Sequence, residues 1–129
     1  MESLKTVIRI QHMPPSTNNL FANVAGRGRV KTERYRTWWQ AAGWDMKKYH
    51  NQRWTEPVYL TIALGKLNSQ SDCSNRVKAI EDLLVEHKII PGDTIKWVRG
   101  VNVYVAQEPF EGVEVTISPA SSPLSRKAA

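Results

Sequence analysis

Cysteine is almost absent from this chain, which has Cys73 as its single cysteine among 129 residues. One cysteine cannot form an intrachain disulfide, and a zinc site built from cysteines alone is excluded. A cytoplasmic location is therefore expected, although a cysteine-poor secreted protein has the same composition. The three histidines, His12, His50 and His87, are scattered and match no metal-ligand spacing.

Long apolar runs are also missing. No run approaches the ~20 residues that a membrane helix needs, and the first five residues lack the apolar segment of a signal peptide. No repeat at solenoid spacing is visible. Hydrophobic residues make up 41% of the chain and charged residues 23%, a balance typical of one globular domain rather than of a disordered chain.

Negative charge is scarce. The chain has 18 Lys and Arg against 12 Asp and Glu, which gives a net charge of +6 and a pI near 9.7. Such an excess on a small domain favours a polyanionic partner, nucleic acid before an acidic lipid surface, and the alternative is a solvated basic surface. We therefore expect nucleic acid, and not a membrane, as the partner.

The predicted elements follow the order strand, helix, strand, helix and a final meander. The strands are predicted at Thr6–His12, Val58–Leu64, within Ile95–Gln107 and at Val113–Ile117, the helices from about Thr32 to Asn51 and from Ser74 to His87, and a hairpin turn at Glu108–Gly112. This order predicts an α+β fold, a two-layer mixed β-sheet with two main helices. The domain is predicted to span residues 1–118, and residues 119–129 to form a flexible C-terminal tail.

A basic, glycine-containing segment lies between the first strand and the first helix. Residues 21–31 are predicted to form a loop, in which two glycines allow the backbone to approach a ligand closely. It is not a Walker loop, because the Gly-Lys-Ser/Thr ending is missing. The first candidate phosphate contacts are Arg27, Arg29 and Lys31 in this segment and Lys78 further along the chain, with Arg34 and Arg36 next. Such contacts carry little base information and weaken with salt.

The first predicted helix carries an aromatic stripe. Thr32 is expected to cap its N-terminus, with Glu33 in the first turn. Large apolar side chains then recur at helical spacing, at Tyr35, Trp38, Trp39, Ala42 and Met46. We interpret this stripe mainly as core, and stacking on bases is the alternative.

The acidic residues around the second helix are the candidate chemical groups. Taken singly, Asp72 is interpreted as a helix N-cap and Asp93 as a turn residue. Ser74, Lys78 and Asp82 recur every four residues on one polar face of the predicted helix, and Glu81 lies beside them. Asp93 can approach that face only if the chain folds back after the helix.

Three segments in this order resemble the RusA family of Holliday-junction resolvases. The first is Pro14–Asn19, which has the sequence Pro-Pro-Ser-Thr-Asn-Asn. The second is Asp72–Leu84, which begins Asp-Cys-Ser-Asn-Arg-Val-Lys and is similar to the family's Asp-x-Asp-Asn-x-x-Lys helix. The third is Lys88–Asp93, which ends in an acidic turn. The resemblance covers about residues 5–118.

The resemblance implies a homodimeric, Mg²⁺-dependent endonuclease that nicks branched DNA in recombination and repair, with Mn²⁺ as a substitute ion. It implies that Asp72 and Asp93 are metal ligands and that Lys78 contacts the scissile phosphate. Asn75 matches the family's asparagine and would support the site. A four-way junction has approximate two-fold symmetry, so a C₂ dimer with two sites suits paired nicks.

One position departs from the family pattern, since Ser74 stands where the family has its second aspartate. A serine hydroxyl is a weak ligand for Mg²⁺, which prefers carboxylate oxygen and water. Glu81 or Asp82 is a candidate for compensation, and Ser74 itself is interpreted as the helix N-cap. The residues before Asp72, Asn68–Ser71, are also not basic.

Two other functions stay open on the sequence alone. One is a catalytically weak or inactive protein that binds junction DNA on the same scaffold. The other is a basic RNA-binding module that uses the tryptophan-rich helix.

Overall fold

The computed structural model describes residues 5–121, which fold into two helices, a four-stranded mixed sheet and a separate two-stranded hairpin. The strands are β1 (Thr6–Ile10), β2 (Phe21–Val24), β3 (Gly28–Lys31), β4 (Val58–Leu64), β5 (Val98–Val105) and β6 (Val113–Pro119), and the helices are α1 (Glu33–Met46) and α2 (Val77–Glu86). The predicted α+β class and mixed sheet are confirmed.

The strand order in the large sheet is β1-β6-β4-β5. β6 lies antiparallel between β1 and β4, whereas β5 pairs with β4 in parallel. The predicted meander is therefore wrong, because β4 separates β5 from β6. The segment 106–112 crosses the end of β4 instead of forming a hairpin, and it is anchored there by the Gly65 N–H, which donates to the Gly112 carbonyl at 2.9 Å.

One face of the sheet holds the core. In β1, Thr6, Ile8 and Ile10 are buried while Val7 and Arg9 are exposed, as expected when helices cover only one face. The helices cover it with buried side chains that include Trp38, Ala42, Met46, Ile80, Leu83 and Leu84. The domain therefore has two layers.

Neither helix in residues 5–121 combines the length and apolar character that crossing a bilayer requires.

The first helix follows its prediction closely. Thr32 caps α1, since its hydroxyl accepts from the Tyr35 N–H at 3.1 Å. The core interpretation is confirmed for Trp38, which is buried and donates from Nε1 to the His12 carbonyl at 2.8 Å. Trp39, its neighbour, is only half-buried. The helix ends at Met46 and continues as a 3₁₀ turn to residue 49, slightly before the predicted end.

The predicted loop at residues 21–31 is instead the hairpin of β2 and β3. Gly26 and Gly28 have φ angles of 78° and 73°, a conformation that favours glycine. The Arg27 N–H closes the turn by donating to the Val24 carbonyl at 3.0 Å. The glycines therefore form a tight turn between two short strands. Composition alone did not distinguish this hairpin from a loop.

The interpretation of Ser74 as an N-cap is wrong. Ser74 lies inside a 3₁₀ turn, Cys73–Arg76, that precedes α2. The positions before the 3₁₀ turn and before α2 are Asp72 and Arg76, and neither side chain makes a capping hydrogen bond. The approach to α2 is therefore not organised by side-chain capping.

Contacts with the Pro14–Asn19 segment hold the start of α2 instead. Arg76 Nη1 donates to the Pro14 carbonyl at 2.7 Å, and Thr17 Oγ1 donates to the Asn75 carbonyl at 2.9 Å. Pro14 and Pro15 are buried, whereas Thr17 and Asn19 further along the segment are exposed. Burial also lowers the pKa of Arg76 from its ordinary value.

The end of α2 reverses the chain. Lys88 follows the helix with a φ of 61°, in the left-handed region. The Ile89 N–H donates to the Leu84 carbonyl at 2.9 Å and the Lys88 N–H to the Val85 carbonyl at 3.0 Å, which is the pair of bonds of a Schellman motif. Glycine usually occupies the position that Lys88 fills here.

The predicted tail begins two residues too early. Pro119 belongs to β6, and the Ala120 N–H donates to the Pro57 carbonyl at 2.9 Å. Residues 122–129, for which a flexible tail was predicted, lie outside the described residues.

We predict that Lys88→Gly raises the free energy of unfolding by about 0.5–1 kcal/mol, because glycine adopts the left-handed conformation without a Cβ penalty. Urea denaturation monitored by circular dichroism measures the change. Lys88→Ala is the matched control, since it removes the same charge and keeps the Cβ. An equal gain from both variants would assign the effect to charge and contradict the prediction.

Candidate carboxylate–lysine site

Lys78 joins two carboxylates that lie apart in the sequence. Its ammonium donates to Asp82 Oδ1 at 3.2 Å and to Asp93 Oδ2 at 3.2 Å. Asp82 is one helical turn further along α2, whereas Asp93 comes from the loop before β5. The two aspartates therefore face each other across one nitrogen atom, and we call Lys78, Asp82 and Asp93 the carboxylate–lysine site.

The return path after α2 brings Asp93 to this position. At the helical rise, the ten steps from Lys78 to Lys88 cover about 15 Å, and a five-residue segment can span at most about 17 Å. The segment from Lys88 to Asp93 can therefore run back along α2 to Lys78. Ile89 and Ile90 are buried along this path, and the Ile89 carbonyl accepts from the Trp54 N–H at 2.8 Å.

A tight turn fixes the chain immediately after Asp93. The Thr94 carbonyl accepts from the N–H groups of both Trp97 and Val98 at 2.8 Å. Gly92 lies against the Trp97 indole, and a Cβ at residue 92 would lie 3.0 Å from that ring. Backbone hydrogen bonds and close packing therefore hold the loop that carries the Asp93 carboxylate.

Two pKa values at this site are shifted, one mainly by a hydrogen bond and the other mainly by burial. The hydrogen bond to Asp82, opposed by burial and assisted by Asp93, raises the pKa of Lys78, so its ammonium stays charged. The pKa of Glu81 is raised, mainly by burial and then by the charge of Asp93, with Lys78 opposing the shift. This corner of the molecule therefore has three acids and one lysine within electrostatic reach of one another.

A cleft opens beside the carboxylate–lysine site and connects it to the hairpin. It has a volume of about 370 Å³ and is lined by Phe21, Lys31, Tyr35, Trp39, Asp82, Val85, Glu86 and Asp93. Burial and the nearby charge of Asp82 raise the pKa of Tyr35 far above its usual range, so the phenol stays neutral. The cleft thus combines aromatic walls, carboxylates and a lysine from four different elements and from the loop that carries Asp93.

The predicted phosphate contacts divide into two groups. Lys31 lies over the Trp39 ring at 4.8 Å and lines the cleft, and Arg29 lies over the Phe21 ring at 4.5 Å. Arg27 is exposed in the hairpin turn. Arg34, by contrast, lines a different groove with Met13 and Trp38. Only part of the predicted basic set therefore borders the carboxylate–lysine site.

Arg36 has a structural contact, because its Nη1 donates to the Lys31 carbonyl at 2.6 Å. This bond ties the first turn of α1 to the end of β3. It helps to hold the hairpin beside the helix.

Asp72 is not joined to the carboxylate–lysine site by any hydrogen bond or ion pair in residues 5–121. It is exposed at the start of the 3₁₀ turn, where its carbonyl accepts from the Asn75 N–H at 3.2 Å. The helical rise alone separates it from Lys78 by roughly 10 Å. Metal binding by Asp72 together with Asp93 stays a prediction.

The donor set available for a metal ion is therefore small. Within the described part of the chain, no group of three or more His, Cys, Asp or Glu side chains is close enough to hold a metal ion. Mg²⁺ is nevertheless often held by only one or two carboxylates, with water and substrate phosphate completing its shell. The pair Asp82 and Asp93 fits that requirement, and exposed Ser74 adds no charge to it.

Sequence analysis gave Asp82 only a supporting position, whereas the structure makes it a direct partner of Lys78. The spacing of four residues between Lys78 and Asp82 is the sequence feature that could have predicted this contact. Nothing in the sequence indicated that Phe21 and Trp39 would border the same cleft, because that depends on how the hairpin packs against α1.

No protein-family model matches the chain, and no curated protein matches it.

We predict that Glu81→Gln raises the melting temperature at pH 7. A carboxyl whose pKa is raised on folding from its ordinary 4.5 destabilises the fold above that pH, because the native state binds the proton more tightly than the unfolded chain. The gain should shrink as the pH falls toward 4, where both states are protonated. Thermal denaturation between pH 4 and pH 8 measures this dependence.

Glu56→Gln is the control, since this exposed residue lies outside the site and its substitution removes the same charge. A gain that is equal in both variants, or independent of pH, would contradict the role given to Glu81.

Proposed function

We propose that this protein is a Mg²⁺-dependent, structure-selective endonuclease that nicks branched DNA, including Holliday junctions, and that the carboxylate–lysine site is its catalytic centre. The observation that carries the proposal is the meeting of Asp93 with Lys78 and Asp82. Convergence of carboxylates and a lysine from distant segments is what metal-dependent phosphodiester hydrolysis requires.

Each residue has a distinct task in this proposal. Asp82 and Asp93 would hold Mg²⁺, which would supply positive charge to the phosphate and orient the attacking water. Lys78 leaves the two carboxylates and places its charge on a phosphate oxygen. Lys78 is half-exposed, with 50% of its side-chain surface accessible, so this movement needs no unfolding.

The basic hairpin supplies the grip on the DNA backbone. Lys31 lines the same cleft as the carboxylates, Arg29 lies over the Phe21 ring of the cleft wall, and Arg27 is exposed in the hairpin turn. Their positive charge offsets part of the repulsion between DNA phosphates and the acidic cluster. A homodimer, also proposed, would present two such sites to the two symmetric strands of a junction.

Asp72 is included as a further metal ligand on the strength of the family resemblance. Its exposure at the start of the 3₁₀ turn leaves it accessible to an ion or to DNA. Asn75, held through its carbonyl by Thr17, supports this turn.

A second candidate function is junction binding without cleavage. Two observations favour it, since Ser74 brings no carboxylate and Lys78 already occupies the space between Asp82 and Asp93 by pairing with both. This alternative predicts tight, salt-sensitive binding with no nicking in Mg²⁺ or Mn²⁺.

We expect Asp82→Asn and Asp93→Asn each to slow nicking of a synthetic four-way junction in Mg²⁺ by roughly 100-fold, because each removes a charged ligand. Initial rates on an end-labelled junction, with linear duplex as competitor, measure the loss. Asp72→Asn tests the ligand proposed from the resemblance, and Glu56→Gln is the control for lost negative charge. Equal rates for all the variants and the unmodified protein would overturn the assigned roles.

The same assay separates the two candidate functions. If the unmodified protein binds the junction but does not cut it, Ser74→Asp restores a carboxylate and is expected to produce cutting. Binding without cutting in both proteins would favour the non-catalytic function.

A further inference from the structure

We propose that the cleft beside the carboxylate–lysine site receives one unpaired base of the DNA, stacked on the Trp39 indole. This inference rests on the proposed function, because the branch point of a junction is where paired bases are most readily exposed. It assigns to Trp39 a direct role in recognising DNA structure.

The three tryptophans of α1 have different environments. Trp38 is 4% exposed and belongs to the core, whereas Trp44 is 69% exposed and lies outside the cleft. Trp39 is intermediate and forms part of the cleft wall together with Phe21 and Tyr35. The volume of about 370 Å³ lies in the range of roughly 300–1,000 Å³ that is usual for small-molecule sites.

The contacts of Trp39 show which side of its ring is available. Tyr35 packs edge-on against it, with ring centroids 5.4 Å apart and an interplanar angle of 79°. The Lys31 ammonium lies over the ring, 4.8 Å from its centroid. A flexible side chain, not the core, therefore covers this face. A base can replace the ammonium, which then moves to an adjoining phosphate, as in sites that combine stacking with a basic groove.

The cleft also offers hydrogen-bond acceptors to the edge of a base. Asp82 and Asp93 are paired with Lys78, which leaves Glu86 as the remaining carboxylate of the cleft. Carboxylates accept from the exocyclic amino group of cytosine, and thymine has no such group. An unpaired cytosine should therefore bind more tightly than an unpaired thymine.

The test compares Trp39→Leu with Trp44→Leu, a control on the same helix whose indole is more exposed and lies outside the cleft. Binding is measured by fluorescence anisotropy in EDTA. The DNA ligands are a fully paired four-way junction, the same junction with one unpaired cytosine or thymine at the branch point, and a short single-stranded oligonucleotide. Melting temperatures confirm that each variant is folded, and Trp39→Phe retains an aromatic ring.

We expect Trp39→Leu to weaken binding of the junction with an unpaired cytosine by about tenfold, whereas Trp44→Leu and Trp39→Phe change it by less than about threefold. We also expect Glu86→Gln to reduce the preference for cytosine over thymine. Equal affinities for Trp39→Leu and Trp44→Leu would overturn the inference and leave the proposed function intact.

The remaining outcomes separate the inference from the function. If no junction is bound but the oligonucleotide is, and this binding needs Trp39, then the base cleft stands and the proposed function falls. If neither DNA is bound, both are overturned.

Discussion

The left-handed turn at Lys88 is the constraint on which the candidate site depends. If α2 continued as a straight helix, Asp93 would lie ~22 Å from Lys78 along the axis. The reversal after Glu86 lets the next residues return along the helix, with Ile89 and Ile90 buried in the core. The site is therefore created by a backbone conformation that is unfavourable for lysine, and it is maintained by apolar burial of the segment that follows.

Local sequence patterns predicted the helices and strands well, but they did not predict which strands are adjacent in the sheet. Sequence was sufficient to predict β1 and β4 from their β-branched runs and α1 from its apolar stripe. Each of these patterns reflects the contact of the element's own residues with the core. The crossing of segment 106–112 over β4 leaves no comparable local signal. Alternating valines in β5 indicate a strand, yet they are equally compatible with β4 or β6 as its partner.

The same distinction applies to the candidate site. The pairing of Lys78 with Asp82 follows from spacing within one helix, so the sequence was sufficient for it. The approach of Asp93 depends on Lys88, a residue type with no preference for the left-handed conformation that it adopts here. At the helix N-termini, by contrast, a local sequence signal was correct for one helix and wrong for the other. Thr32 and Ser74 have similar capping chemistry, but hydrogen bonds to the Pro14–Asn19 segment, rather than a cap, hold the start of α2.

The electrostatics of the cleft connect the proposed metal ion to the proposed DNA partner. The chain carries a net charge of +6, yet three acids cluster beside Lys78 and would repel a phosphate. Lys31 and Arg29 at the border of the cleft offset only part of this repulsion, and Lys78 is already engaged by Asp82 and Asp93. A dication bound between the two aspartates would release Lys78 and cancel the local negative charge. Metal and DNA should therefore bind cooperatively, each raising the affinity of the site for the other.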